Sequence, residues 1–151
     1  SGELVGSVTI MSSKLKPINV SQDIGKFIDE LPILFVIAAL TKGVSKFKNI
    51  GDLKNKESNR LLESKKILVQ AGIKCKITKD AMVIYGKDKI EIRNKLILTK
   101  AKGDHRICMS SAILALVTGI RTKIKNFETV NTFFPGFLKL IRKVGGKVEI
   151  I

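Results

Sequence analysis

The 151-residue sequence predicts a mixed α/β fold, in which helices form the centre and sheets form the outside. Three observations lead to this expectation: a tandem repeat, two apolar runs, and strands with lysine at alternate positions. The runs at residues 31–40 and 107–117 are apolar on nearly every side, which is typical of a buried helix. The stretch 73–77 alternates apolar residues with lysine, which is typical of a sheet with one face in water. Helices inside and sheets outside reverse the layering of a doubly wound fold.

The repeat defines the organisation of the chain. The stretch Gly-Val-Ser-Lys-Phe-Lys-Asn at 43–49 returns, with one insertion, as Gly-Ile-Arg-Thr-Lys-Ile-Lys-Asn at 119–126. Each copy follows an apolar run and precedes a second helical stretch that ends at glycine. We therefore expect two tandem βαβαββ units, at about 21–90 and 97–151, which together form one partial lobe over residues 1–151.

Local signals set the expected element boundaries. Pro32 is tolerated only in the first turns of a helix, and Gly72 suits a left-handed C-cap. The expected helices are 24–42, 56–71, 105–118 and 133–144. The expected strands are 4–11 (before the first unit), 43–50, 73–77 with its hairpin partner 81–85, 121–127 and 147–151.

The net charge of +15 has three competing interpretations: a nucleic-acid surface, attraction of small polyanions, or compositional bias. The basic residues are 23 lysines and 5 arginines, spread evenly along the chain, and isoleucine alone occurs 21 times. The joint excess of lysine and isoleucine favours compositional bias. A phosphate-binding surface would be expected to contain more arginine, because the guanidinium group can bind phosphate through two hydrogen bonds.

Other sequence features narrow the class of protein. No apolar run approaches the roughly 20 residues that span a bilayer, and the polar start Ser1-Gly2-Glu3 indicates no signal peptide. The two cysteines, Cys75 and Cys108, lack metal-ligand spacing and are expected to be buried and reduced, which favours the cytoplasm. With one histidine, His105, the chain offers no histidine-based zinc site.

Candidate chemistry lies at the predicted helix starts, because helix N-termini attract anions. Asp29 and Asp104 occupy matching positions in the two units, at nearly equal distances before the repeated glycines. Lys56 and Arg60, spaced as if on one helix face, and Arg106 add cations that can grip phosphate and carboxylate groups. Each motif alone also fits an ordinary helix cap or a solvated first turn. If the units pack side by side, these helix starts should converge.

Four motifs in this order resemble the C-terminal signature of the phosphoshikimate carboxyvinyltransferase family. They are Asp29-Glu30-Leu31-Pro32, Lys56-Glu57-Ser58-Asn59-Arg60, Gly103-Asp104-His105-Arg106 and Phe134-Pro135-Gly136-Phe137. The resemblance covers essentially the whole chain but only the last part of a longer enzyme. It implies an inside-out, barrel-like α/β lobe of the enolpyruvyl transferase type, of which this chain is two of three repeated units.

The resemblance also implies the reaction and its residues. The family transfers the enolpyruvyl group of phosphoenolpyruvate to shikimate 3-phosphate, without metal or organic cofactor. Asp29 resembles the base that also binds shikimate 3-phosphate, and Glu57 resembles the acid. Lys56 resembles the catalytic lysine that contacts the shikimate phosphate. Arg60 and Arg106 resemble the arginines that hold phosphoenolpyruvate, with Asp104 and His105 in support.

The family resemblance implies further expectations about partners. The N-terminal lobe of the same enzyme should complete the cleft, so the chain alone should be inactive, and the full-length enzyme should be a monomer. Asp52 and Thr132 depart from residues that some family members use for substrate contacts. Three alternatives remain: an enzyme like the UDP-N-acetylglucosamine 1-carboxyvinyltransferases, a basic α/β nucleic-acid-binding module, and an inactive structural remnant. Scarce aromatic residues disfavour the nucleic-acid module, and neither nucleic acid nor membrane is an expected partner.

Overall fold

The structure is a computed structural model that describes residues 6–92 and 96–150. Its α-helices are α1 (Leu31–Ala39), α2 (Arg60–Gln70), α3 (His105–Thr118), α4 (Val130–Phe133) and α5 (Phe137–Lys143). Its strands are β1 (Asn19–Val20), β2 (Gly43–Phe47), β3 (Lys74–Ile77), β4 (Met82–Gly86), β5 (Leu96–Lys100) and β6 (Arg121–Lys125). Three 3₁₀ helices lie at Ile24–Glu30, Gly51–Asn55 and Phe127–Thr129.

The strands form two sheets. In the larger, the order is β1-β2-β4-β3, with β1 parallel to β2 and the other neighbours antiparallel. This sheet confirms the predicted hairpin, in which Cys75 pairs with Ile84. In the smaller, β5 and β6 pair in parallel. The strand β5 is missing from the sequence-based expectation.

Three helices form the centre of the molecule, as predicted. Helices α1, α2 and α3 pack against one another, and their inner side chains, such as Phe35 and Leu114, are fully buried. The larger sheet covers α1 and α2, and the smaller covers α2 and α3. The outer strand faces carry exposed lysines, among them Lys46, Lys76 and Lys123. The mixed fold with buried helices is therefore confirmed, while closure into a barrel-like lobe and the division into two repeated units stay predictions.

Several predicted boundaries are wrong, each for a local reason. The helix expected at 24–42 is a 3₁₀ helix followed by α1, because Pro32 lies in the first turn of α1, where its missing N–H costs nothing. The helix expected at 56–71 begins at Arg60, because Asn59 caps it by accepting a hydrogen bond from the Leu62 N–H at 3.0 Å. Lys56 has an extended backbone conformation and lies before α2. The prediction that Lys56 and Arg60 share one helix face is therefore wrong.

The C-terminal elements also differ from the prediction. The helix expected at 133–144 begins only at Phe137, as α5, because α4 ends at Phe133 and the chain turns at Phe134-Pro135-Gly136, where Gly136 has a φ of 87°. No strand is present at 147–150, and residue 151 lies outside the described residues. The predicted strand 4–11 is likewise wrong over 6–11, and residues 4 and 5 lie outside the described residues.

Both cysteines are free and buried, as expected. Burial raises the pKa of each thiol, Cys75 and Cys108, to about 12, which keeps both protonated and unreactive at neutral pH. None of the helices within the described residues is long and apolar enough to cross a bilayer.

Candidate active site

The starts of α1, α2 and α3 meet at one buried cation, Arg60. Arg60 is the first residue of α2, and its side chain is 1% exposed. Its Nη1 donates to Oδ1 of Asp29 at 2.8 Å, and its Nη2 donates to Oε2 of Glu57 at 2.6 Å. Its Nε donates to Oδ2 of Asp104 at 2.8 Å. One guanidinium thus joins carboxylates from three separate segments of the chain.

This environment determines the charge of Arg60. Burial alone would lower the pKa of its guanidinium. The hydrogen bond to Asp104, and the negative charges of Asp104, Glu57 and Asp29, outweigh that cost and raise the pKa of Arg60 above its ordinary value. Arg60 is therefore a permanent buried cation that holds the cluster together.

Asp104 links the start of α2 to the start of α3. Its Oδ1 caps α3 by accepting from the Arg106 N–H at 3.0 Å and from the Ile107 N–H at 3.4 Å. Its Oδ2 accepts from Arg60 and also from the Ser58 hydroxyl at 2.9 Å. The side chain is fully buried, so these hydrogen bonds replace the water that the carboxylate loses on folding.

Asp29 lies in the 3₁₀ helix before α1 and is surrounded by cations. Besides Arg60, Lys56 contacts its Oδ1 at 3.1 Å, and Nη2 of Arg106 lies 3.9 Å from its Oδ2. The hydrogen bond from Lys56, with the charges of Lys56, Arg60 and Arg106, lowers the pKa of Asp29 against the opposing effect of burial. Asp29 is therefore an ionised carboxylate at neutral pH, able to accept a proton.

Arg106 stands at the open side of the cluster. Its side chain is 31% exposed, and its Nη1 donates to Oε1 of Glu30 at 3.0 Å. Because Arg60 and Arg106 both approach Asp29, their guanidinium groups lie on the same side of the molecule. The structure thus brings together six of the predicted site residues: Asp29, Lys56, Glu57, Arg60, Asp104 and Arg106.

His105 follows Asp104 but makes a different kind of contact. Its ring is stacked on Phe133, with centroids 3.6 Å apart and an interplanar angle of 11°. Its Nδ1 has no hydrogen-bond partner among the described residues. Burial lowers the pKa of His105, with Arg106 and Arg60 adding to the effect and Asp104 opposing it, so the ring is neutral near pH 7. His105 therefore packs α3 against α4.

Sequence reasoning did not identify Ser58 and Glu30 as cluster residues. Both stand inside the motifs that were singled out, but nothing in their spacing indicates their partners. Ser58 contacts Asp104, 46 positions away, and Glu30 contacts Arg106, 76 positions away. Asp52 and Thr132, the two departures noted in the sequence, are both exposed.

Comparisons with known proteins agree with the fold and the motif order. The family model described as EPSP synthase (3-phosphoshikimate 1-carboxyvinyltransferase) matches residues 3–141. The 3-phosphoshikimate 1-carboxyvinyltransferase of Campylobacter concisus is 36% identical over 148 residues, covering 97% of this chain and 33% of that protein. The enzyme of the same name from Paramagnetospirillum magneticum is 32% identical over 149 residues, which cover 98% of this chain and 33% of that protein.

A solved structure gives the same result. EPSP synthase from Acinetobacter baumannii superposes with a TM-score of 0.76 at 33% identity, covering 90% of this chain and 32% of that one. This chain therefore spans about a third of the length of the relatives it matches. Because the family model matches most of its residues, the chain belongs to the EPSP synthase (3-phosphoshikimate 1-carboxyvinyltransferase) family.

Proposed function

We propose that this chain supplies part of an active site that transfers the enolpyruvyl group of phosphoenolpyruvate to the 5-hydroxyl of shikimate 3-phosphate, with release of phosphate. Family membership supports the reaction. One observation carries the proposal for this chain: the guanidinium of Arg60 donates hydrogen bonds to the carboxylates of Asp29 (2.8 Å) and Glu57 (2.6 Å). A base and an acid on one planar group are within reach of one small substrate.

The reaction needs two opposite proton movements, which two carboxyl groups can provide. In the addition step, the hydroxyl oxygen bonds to carbon 2 of phosphoenolpyruvate, the hydroxyl loses its proton and the methylene carbon gains one. In the elimination step, the phosphate C–O bond breaks and the new methyl group returns a proton, which restores the double bond. Asp29 accepts the hydroxyl proton, and Glu57 delivers and removes the carbon proton.

The cations make it possible to bring two anionic substrates together. Lys56 contacts the phosphate of shikimate 3-phosphate near the reacting oxygen, while Arg60 and Arg106 hold the carboxylate and phosphate of phosphoenolpyruvate. Each terminal nitrogen of Arg60 donates one hydrogen to a carboxylate and keeps a second, so a substrate anion that reaches Arg60 shares it with Asp29 and Glu57 or replaces one of them. Once it leaves Arg60, Glu57 can take up from solvent the proton that it then delivers to the methylene carbon. Asp104 and His105 support these groups without transferring protons.

The proposal includes a partner, because the relatives carry about two thirds of their length outside the matched region. An N-terminal lobe of the same enzyme supplies the opposite wall of the cleft, and this chain alone does not turn over. We also propose a cytoplasmic enzyme that is monomeric at full length. No organic cofactor or metal takes part.

A turnover assay tests the function. Phosphate release from phosphoenolpyruvate should require shikimate 3-phosphate in the full-length polypeptide and should be absent from the isolated chain. Asp29→Asn and Glu57→Gln should each lower kcat at least about 100-fold, the lower range for general acid–base catalysis. Asp23→Asn, which removes an exposed acid that pairs with Lys26 outside the cluster, should leave kcat within about twofold. Release that depends instead on UDP-N-acetylglucosamine, or normal rates in both carboxylate variants, would refute the proposal.

A further inference from the structure

The three cations of the cluster differ in their accessibility. Arg60 is 1% exposed and donates to three carboxylates. The side chains of Lys56 and Arg106 are 30% and 31% exposed. An anion that arrives from solvent therefore meets Lys56 and Arg106 before it can reach Arg60.

Arg106 already has a carboxylate partner in Glu30. Its Nη1 donates to Oε1 of Glu30 at 3.0 Å, whereas the 3.9 Å approach to Asp29 is too long for a hydrogen bond. Glu30 immediately precedes α1, but its side chain makes no capping hydrogen bond there. Within the described parts of the chain, Arg106 is its one polar side-chain contact.

The charges of the cluster do not favour a further anion. Four carboxylates face three cations, so the formal charge of the cluster is −1 despite the +15 of the whole chain. The carboxylates belong to Asp29, Glu30, Glu57 and Asp104. The negative charge therefore opposes a further anion, and an anion that binds Arg106 competes with the carboxylate of Glu30 for its positive charge.

We propose that Glu30 is an internal competitor that occupies Arg106 until an anionic substrate displaces it, and that it thereby limits the affinity of the site. The proposal rests on the proposed function for the identity of phosphoenolpyruvate, but the competition applies to any small carboxylate or phosphate. Glu30 forms the most accessible ion pair of the four carboxylates, because its side chain is 52% exposed and its partner Arg106 is 31% exposed. Glu57 is 50% exposed but pairs with the buried Arg60. Asp104, by contrast, is fully buried and has several partners.

Glu30→Gln should therefore strengthen anion binding. The substitution keeps the size of the side chain, removes the competing charge and brings the cluster to a formal charge of zero. An exposed ion pair has a modest free energy, so we expect the Kd for the anion to fall about two- to fivefold. In the full-length enzyme KM for phosphoenolpyruvate should fall by a similar factor, because Glu30 contacts Arg106 only before substrate binds.

Asp23→Asn is the matched control. Asp23 lies directly before the same 3₁₀ helix and loses the same charge, but it pairs with Lys26, outside the cluster. Binding of inorganic phosphate and of phosphoenolpyruvate to the 151-residue chain can be followed by NMR through the ring signals of His105, the single histidine of this sequence. The expected result is a lower Kd in Glu30→Gln and an unchanged Kd in Asp23→Asn.

The other outcomes separate this proposal from the proposed function. Unchanged or weaker anion binding in Glu30→Gln overturns the proposed competition. Equal strengthening of binding in Asp23→Asn also overturns it, because that result would indicate a long-range charge effect. A lack of anion binding in every variant overturns it as well. If Glu30→Gln binds phosphate more tightly but the full-length protein does not consume phosphoenolpyruvate, the competition stands and the proposed function fails. If the full-length protein turns over but Glu30→Gln has an unchanged KM, the function stands and the competition falls.

Discussion

Replacing Asp104 by alanine is the most informative single change to the fold, because this carboxylate joins two helices and a buried cation. The substitution leaves Nε of Arg60, the Ser58 hydroxyl and the first N–H groups of α3 without their acceptor. The positive charge of Arg60 would remain at 1% exposure, with fewer compensating groups.

The expected cost follows from these losses. Removing one partner of a buried ion pair costs about 3–5 kcal/mol. Loss of a helix N-cap alone costs about 1 kcal/mol, and because one side chain provides both contacts, the two losses overlap. We expect the free energy of unfolding to fall by about 3–5 kcal/mol in total, which for a chain of this length lowers Tm by roughly 6–20 °C.

Urea and thermal unfolding followed by circular dichroism measure this loss. Asp23→Ala is the control, because both side chains of its ion pair with Lys26 are mostly exposed and its loss should cost less than about 1 kcal/mol. Asp104→Asn keeps an acceptor oxygen, so its loss of unfolding free energy should lie between those of Asp23→Ala and Asp104→Ala. If Asp104→Ala unfolds within about 1 kcal/mol of the wild type, the buried link between α2 and α3 has no energetic importance and the reasoning is refuted.

Three further predictions concern protonation, thiols and a helix cap. The hydrogen bond from Lys56 and the nearby cations lower the pKa of Asp29 in the folded chain. The ionised carboxylate therefore stabilises the fold at pH values above 3.8, the ordinary pKa of an aspartate. This stabilisation is lost as the pH falls through the lower pKa of the folded state. The stability advantage over Asp29→Asn should therefore be present at pH 7 and shrink below pH 3.8 in urea titrations; a constant difference would contradict it. Cys75 and Cys108, with pKa values of about 12, should react with a thiol reagent at pH 8 only slowly in the folded chain and rapidly in guanidinium; fast modification of the folded chain would contradict their burial. Asn59→Ala should cost about 1 kcal/mol and Asn59→Gly only a few tenths, by urea unfolding; equal losses would argue against the cap.

The predicted limits of α3 are correct, because clear local signals set both of its ends. Asp104 caps its start, and Gly119, with a φ of 71°, ends it. Asn49 and Asn126, which align in the sequence repeat, both have a φ of 58°, while the division into two units stays a prediction. Local chemistry is therefore sufficient for α3 but not for α2, whose start was predicted at residue 56 although Asn59 caps the helix at Arg60.

Strands and contacts between distant residues could not be predicted in the same way. Residues 6–11 alternate like a strand, yet Val8 and Ile10 are 84% and 88% exposed, because a strand also needs a neighbour to pair with. The motifs identified most of the cluster but not its geometry. That one guanidinium holds three carboxylates depends on how the units pack, which no local pattern records.

A crystal structure of the full-length polypeptide with phosphoenolpyruvate and shikimate 3-phosphate tests the central claim most directly. We expect the phosphoenolpyruvate anion within hydrogen-bonding distance of Arg106 and Arg60, with Glu30 withdrawn from Arg106. The 5-hydroxyl of shikimate 3-phosphate should lie beside Asp29. Both substrates bound elsewhere, with the carboxylates still in place on Arg60, would contradict the account.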